Sequence, residues 1–151
     1  MKDKFYFMKA ALKEAKKAFN ESEVPIGAVI VCEQKIIAHA HNEREKKNLA
    51  TAHAEITCIE KACRKLKSWR LDDCEIYITV EPCPMCAGAI LNARIKKAYY
   101  GAKDLKGGAA ESNFSVLSSG VLNWTTESEG GVLDKEAEKL LKDFFVERRR
   151  S

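Results

Sequence analysis

Thr51-Ala52-His53-Ala54-Glu55 and Glu81-Pro82-Cys83-Pro84-Met85-Cys86 bracket the stretch whose reading decides the fold. Behind the first cluster Ile56, Ile59, Cys63 and Leu66 recur at helical spacing, and Glu75-Ile76-Tyr77-Ile78-Thr79-Val80 forms a β run ahead of the second. Helix, strand and helix therefore succeed one another, with His53, Glu55, Cys83 and Cys86 at the two helix entrances. Pro84 suits the first position of a helix, where its missing N–H would have no partner in any case. That makes Cys83 the N-cap and Cys86 the third helical residue, so the two sulfurs converge on one spot. Orphan N–H groups and the positive end of the helix dipole favour thiolate, the form that binds a metal.

His53 is predicted in the first turn of the other helix, which Thr51 can cap. With the two cysteines it makes a set of three ligands. A zinc ion held by three protein ligands keeps its fourth tetrahedral position open, as catalytic sites do and closed structural sites do not. Glu55 lies two residues beyond His53, about 200° round an ideal helix, so the two can meet only off the helix end. A carboxylate beside such a metal can take a proton from water and hand it to a substrate. The plainer role for Glu55 is a first-turn acid stabilised by the helix dipole; three metal-type residues nearby favour catalysis.

Outward from this unit, Met8, Leu12, Ala15 and Phe19 predict a helix over 3–19, with Asp3 as its cap and lysines on a solvated face. Pro25 leads into Ile26 to Val31, a continuous apolar run expected of a strand covered on both sides. Glu33-Gln34 makes a turn into a second strand, Lys35 to Asn42, on which His39 and His41 share one side and are read as surface residues, not a metal pair. Glu43 to Ala50 reads as a polar loop, Lys96 to Tyr100 as a strand, Gly107-Gly108 as a turn and Leu122 to Thr126 as a short final strand. From Asp134, Ala137, Leu140, Leu141, Phe144 and Phe145 outline an amphipathic helix ending in Arg148-Arg149-Arg150, whose charges also suit a helix C-terminus. Alternating strands and helices imply an α/β sheet with helices on both faces.

The chain has 151 residues, 46% hydrophobic and 32% charged, which fits a single domain over 1–151 and excludes a disordered or collagen-like chain. A formal charge of +4 permits an anionic partner without requiring one. No signal-peptide pattern follows Met1 and no apolar run has spanning length, so the expected location is cytoplasmic, with no membrane contact. Of the six cysteines, Cys32, Cys58, Cys63 and Cys74 are read as small buried hydrophobes, neither disulfides nor a fourth ligand.

His-x-Glu followed by Pro-Cys-x-x-Cys is the signature of zinc deaminases of nucleobases, the cytidine/deoxycytidylate deaminase superfamily. Nearly the whole chain resembles the bacterial tRNA adenosine deaminases (TadA type). The likeness is carried by Glu23 to Val29, His41-Asn42, Thr51 to Glu55, Glu81 to Ala89, Gly101 to Asp104, Lys106 to Gly108, Phe144-Phe145 and Arg148-Arg149. The resemblance implies a three-layer α/β/α cytidine-deaminase-like fold around a mostly five-stranded mixed sheet, one Zn2+ per chain on His53, Cys83 and Cys86, and Glu55 as proton carrier. It implies hydrolytic deamination of adenosine to inosine, with release of ammonia, at the wobble position of a tRNA anticodon stem-loop, by a homodimer. It also places the purine edge at Asn42, the leaving group near the Ala54 N–H and the pocket wall at Glu23, Val24, Pro25 and Ile26. Asp104, Lys106, Phe145, Arg148 and Arg149 would meet the RNA. Two departures from the family pattern are Val80, where it usually has Leu, and Asn123-Trp124, where it commonly has Asn-His. Two other functions compete: a free-base deaminase of guanine or cytosine, suggested by Ala62-Cys63 and Asp72-Asp73-Cys74, and a zinc-stabilised RNA-binding module without catalysis.

Overall fold

The computed structural model describes residues 1–150. Its elements are α1 (Lys4–Asn20), β1 (Gly27–Cys32), β2 (Lys35–His41), α2 (Arg44–Lys47), α3 (Ala54–Leu66), β3 (Cys74–Val80), α4 (Pro84–Asn92), β4 (Lys97–Ala102), β5 (Glu127–Glu129) and α5 (Asp134–Arg150). The five strands form one mixed sheet in the order β2-β1-β3-β4-β5. β1 runs antiparallel to both β2 and β3, whereas β3, β4 and β5 are parallel neighbours.

β1 shows why its sequence is apolar without alternation. Ala28 and Ile30 pack into the larger core with Ala54, Cys58 and Ala62 of α3 and Ile90 and Leu91 of α4. Val29 and Val31 point the other way, to Phe7, Met8 and Ala11 of α1. Successive side chains of a strand face opposite sides, so a strand sandwiched between helices needs apolar residues at every position. α5 lies beside α1 on the second face, where Leu12, Ala102 and Ala137 meet. A Cβ on Gly27 would fall 2.1 Å from the Ala11 carbonyl oxygen, so glycine is what lets α1 lie against the start of β1.

Three local expectations change. The stretch 43–50 is not wholly loop: it contains the single turn α2, whose end is set by Asn48 in the left-handed region at φ 55°. His53, not Thr51, is the N-cap of α3. The last strand is Glu127–Glu129, not 122–126, because the Trp124 indole and the Thr126 hydroxyl both donate to the Ile95 carbonyl (3.2 and 2.8 Å). Those bonds tie 124–126 to the loop after α4 and leave the ladder to begin at Glu127.

Candidate active site

His53 and Cys83 occupy equivalent places, each the N-cap of its helix with extended backbone (φ −75°, ψ 152° and φ −74°, ψ 172°). The His53 side chain does not cap its own helix as an N-cap Ser or Asp would, and Cys83 is engaged by Cys86 in the first turn of α4. Both turn toward a common point, and Cys86 reaches it from the first turn of α4. His53 Nδ1 lies 3.7 Å from Cys83 Sγ and 3.5 Å from Cys86 Sγ. Tetrahedral zinc with ordinary Zn–N and Zn–S bonds needs N···S edges of about 3.6 Å, so the donor set fits the ion in both type and spacing. The only other candidate metal cluster among the described residues is Glu21, His41 and Glu43. There the His41 nitrogens are engaged by Glu14 and Glu21, and His39 also pairs with Glu14; His39 is a surface residue, whereas the His41 side chain is only 15% exposed.

Charge at the triad is shared. The hydrogen bond from Cys86, and next that with His53, against the penalty of burial, bring the Cys83 thiol down to about 4. Cys86, whose hydrogen bond to Cys83 and burial act together, is pushed up. The bond to Cys83 raises His53 in turn, in spite of burial. Charge is thereby favoured on the Cys83 sulfur, the form that binds a metal. Glu55 is 4% exposed, and burial, reinforced by Cys83, pushes its carboxyl up to about 7 although the His53 charge opposes this. A carboxyl held near neutrality accepts and releases a proton with similar ease.

Beside this group opens a pocket of about 150 Å3. A cavity of about that volume takes one six-membered ring. Of the residues predicted for the site, His53, Ala54, Glu55, Asn42, Val24 and Ile26 line it, and Glu23 and Arg148 contribute as well. Asn42 is fixed by backbone at both ends: its amide donates to the Val24 carbonyl (3.2 Å) and its oxygen accepts the Arg44 N–H (3.1 Å). One N–H and one lone pair remain for a ligand. Glu23, 1% exposed, turns its carboxylate onto the N–H groups of Glu45 (3.0 Å) and Lys46 (2.7 Å) and so holds α2 in place.

Pro25 is buried between the two wall residues and is not itself part of the lining. Asp104, Lys106, Phe145 and Arg149 also lie outside it. Asp104 closes a turn, accepting from the Lys106 and Gly107 N–H groups (both 3.1 Å), while Lys106, Phe145 and Arg149 are exposed. The Arg148 guanidinium lies over the Phe144 ring, 5.5 Å from its centroid. Arg44 and Glu45 line the pocket without having been singled out from the sequence. Their signal was position alone, two and three residues after Asn42.

A family model for MafB19-like deaminases matches residues 2–149. The tRNA-specific adenosine deaminase of Bacillus subtilis (strain 168) is 46% identical over 144 residues, covering 95% of this chain and 89% of that protein. The chain belongs to the tRNA-specific adenosine deaminase family. A solved structure from work on A-to-I editing by tRNA:A34 deaminases at the wobble position superposes on this deaminase with TM-score 0.87, at 43% identity, over 90% of this chain and 99% of its own. The guanine deaminase of Bacillus subtilis is also 43% identical, but its structure gives TM-score 0.66 over 75% of this chain and 71% of its own.

Proposed function

We propose that this deaminase converts adenosine to inosine, with release of ammonia, at the wobble position of a tRNA anticodon loop, using one zinc ion on His53, Cys83 and Cys86. The observation that carries the proposal is a buried carboxyl, Glu55, next to three ligands of an open tetrahedron and facing a pocket that takes the six-membered ring of a base. Zinc, when bound, supplies a Lewis acid that brings the pKa of water to about 7. Glu55 takes the proton released by water and delivers it to ring N1, which makes C6 electrophilic. It then returns a proton to the departing amine, so that water and adenosine become inosine and ammonia. Asn42 presents its remaining amide N–H and lone pair to the purine edge. The Ala54 N–H, at the first position of α3, has no partner within the helix and is available near the leaving group.

An unpaired loop is the fitting substrate, because its base can be everted at little cost while neighbours stack on aromatic rings and phosphates meet arginine. Phe145, Arg148 and Arg149 on α5, with Asp104 and Lys106 on the loop after β4, supply those groups. A homodimer is supported by the apolar groove between α3 and α4, where Ile56, Ile59, Cys63 and Ala89 lie beside Trp69, itself 60% exposed. No helix among the described residues is long and apolar enough to cross a membrane, and a tRNA substrate suits a cytoplasmic location.

The guanine deaminase likeness supports a second reading, hydrolysis of a free base at the same metal. Side-by-side measurement of ammonia and inosine from an anticodon stem-loop, adenosine, guanine and cytosine decides between them. Turnover of the stem-loop is expected; rapid turnover of guanine or cytosine with none on the stem-loop would move the protein to the free-base branch. Zinc and RNA binding with no turnover of any of the four would leave a binding module.

A further inference from the structure

Between β4 and β5 the backbone runs from 103 to 126 with no helix or strand. An irregular segment of that length inside a small domain needs anchors of its own. Much of its first half is anchored on one side chain. Glu81, 3% exposed, accepts at Oε1 from the Asp104 N–H (3.1 Å) and the Ser112 hydroxyl, and at Oε2 from the N–H groups of Ala110, Glu111 and Ser112 (3.1, 2.8 and 2.9 Å). Five donors converge on one carboxylate, more than the about four lone pairs of its two oxygens, so that some are shared. Gly108 closes over it: a Cβ there would lie 2.3 Å from the Glu81 carboxyl carbon and 2.6 Å from the Asp104 carbonyl oxygen.

Glu81 immediately precedes Pro82-Cys83, and the Pro82 carbonyl accepts the Ala109 N–H at 2.8 Å. The segment carrying a metal ligand and the loop carrying Asp104 and Lys106 are thus bolted into one frame. Nothing in the chemistry at zinc calls for this carboxylate. Its oxygens face the loop donors, and it is not part of the pocket lining.

We propose that Glu81 is a positioning residue: it fixes the 104–112 loop relative to the reactive centre, and so sets the distance between the everted adenosine and the loop's contacts to the neighbouring nucleotides. The proposal rests on the RNA reading of the site. Contacts to the nucleotides on either side of the base hold the RNA in the complex, and they do so only while the loop that carries them is held in place.

Glu81→Gln tests it, because the amide keeps the shape but turns a donor toward N–H groups. Gly108→Ala is the complementary variant, forcing the same pair of groups apart with Glu81 intact. Both should keep one zinc per chain. Hydrogen exchange at 104–112 should become about tenfold faster or more in each, as bonds holding a local segment are removed. KM for the stem-loop should rise about tenfold with kcat within threefold, as expected when contacts that position the RNA are weakened. The double variant should be little worse than either single one, because both act on the same pair of groups. Unchanged exchange in Glu81→Gln overturns the proposal, and so does loss of zinc or kcat with KM unaltered, which would assign Glu81 to the metal segment. Failure of the parent protein to act on the stem-loop would instead count against the RNA reading, and the exchange result would still judge whether Glu81 holds the loop.

Discussion

At the inner end of the site His53, Cys83 and Cys86 sit at the starts of two regular helices, α3 and α4; at its outer end Arg44 and Arg148, with Asp104 beyond the pocket lining, ride on a single helical turn, the last turn of α5 and a loop. The inner geometry follows from backbone regularity. Once Ala54 and Pro84 begin their helices, the N-cap positions of His53 and Cys83 follow, and no further side chain is needed to aim them. The outer end lacks that regularity. Two buried carboxylates replace it, Glu23 under α2 and Glu81 under the 104–112 loop, each accepting backbone N–H groups that have no ladder to join. Chemistry and recognition in this enzyme therefore respond to different kinds of mutation.

The largest effect is expected from breaking the inner end. Cys86→Ala leaves two ligands, so metal analysis should show far less than one zinc per chain and activity should disappear; a fully loaded, active variant would refute the assignment. Because an ion held by His53, Cys83 and Cys86 would join α3 to α4, chelation should also lower the Tm, by roughly 2–4 °C for each kcal/mol of binding energy removed in a chain of this length.

Glu55→Gln separates proton transfer from metal binding. Zinc and fold should survive while kcat falls by about 10^2 to 10^4 or more, the usual contribution of a general acid–base. A variant with near-parental kcat would exclude Glu55 as the carrier.

Glu23→Ala attacks the outer end alone. Leaving the Glu45 and Lys46 N–H groups without their acceptor costs about 1–3 kcal/mol where water cannot reach them. A lower Tm and a raised stem-loop KM are expected, with zinc content unchanged. Arg148→Ala with Arg149→Ala should weaken stem-loop binding and flatten its salt dependence, by about 0.7 in log–log slope for each phosphate no longer neutralised. An unchanged slope would remove these arginines from the RNA interface.

The smallest expected effect concerns Glu14, remote from both ends. Burial alone would raise its carboxyl, but hydrogen bonds from Lys17 and His41 and the charge of His39 hold it below its ordinary 4.5. A folded value below the unfolded one contributes stability above about pH 4.5 that is lost as pH falls through the folded value. Tm measured against pH should show this loss, and Glu14→Gln should reduce it.

The inner end is legible in the sequence because its signals are local. Pro84 alone gives the register of Cys83 and Cys86, and the apolar run from Ile26 to Val31 announces a strand buried on both faces. The outer end is legible only through resemblance, and incompletely. Resemblance places Glu23 in the pocket wall, which it lines, but does not show its oxygens holding α2; nor does it show the Asp104 carboxylate closing a turn. A side chain that binds backbone far away in sequence leaves no periodic trace. Trp124 and Thr126 escape a sequence reading for the same reason, since their partner, the Ile95 carbonyl, lies on a distant loop.

The brevity of β5 bears on how the molecule behaves in a crowded solution. An open sheet has two free margins, and a long flat one would invite another chain to add a strand. Here one margin is three residues long and carries Glu127 and Glu129, both paired to Lys97. The opposite margin, β2, has its His39 carbonyl taken by the Lys61 ammonium at 2.9 Å. A short, charged margin of this kind opposes the addition of a further strand, and the sheet ends at five.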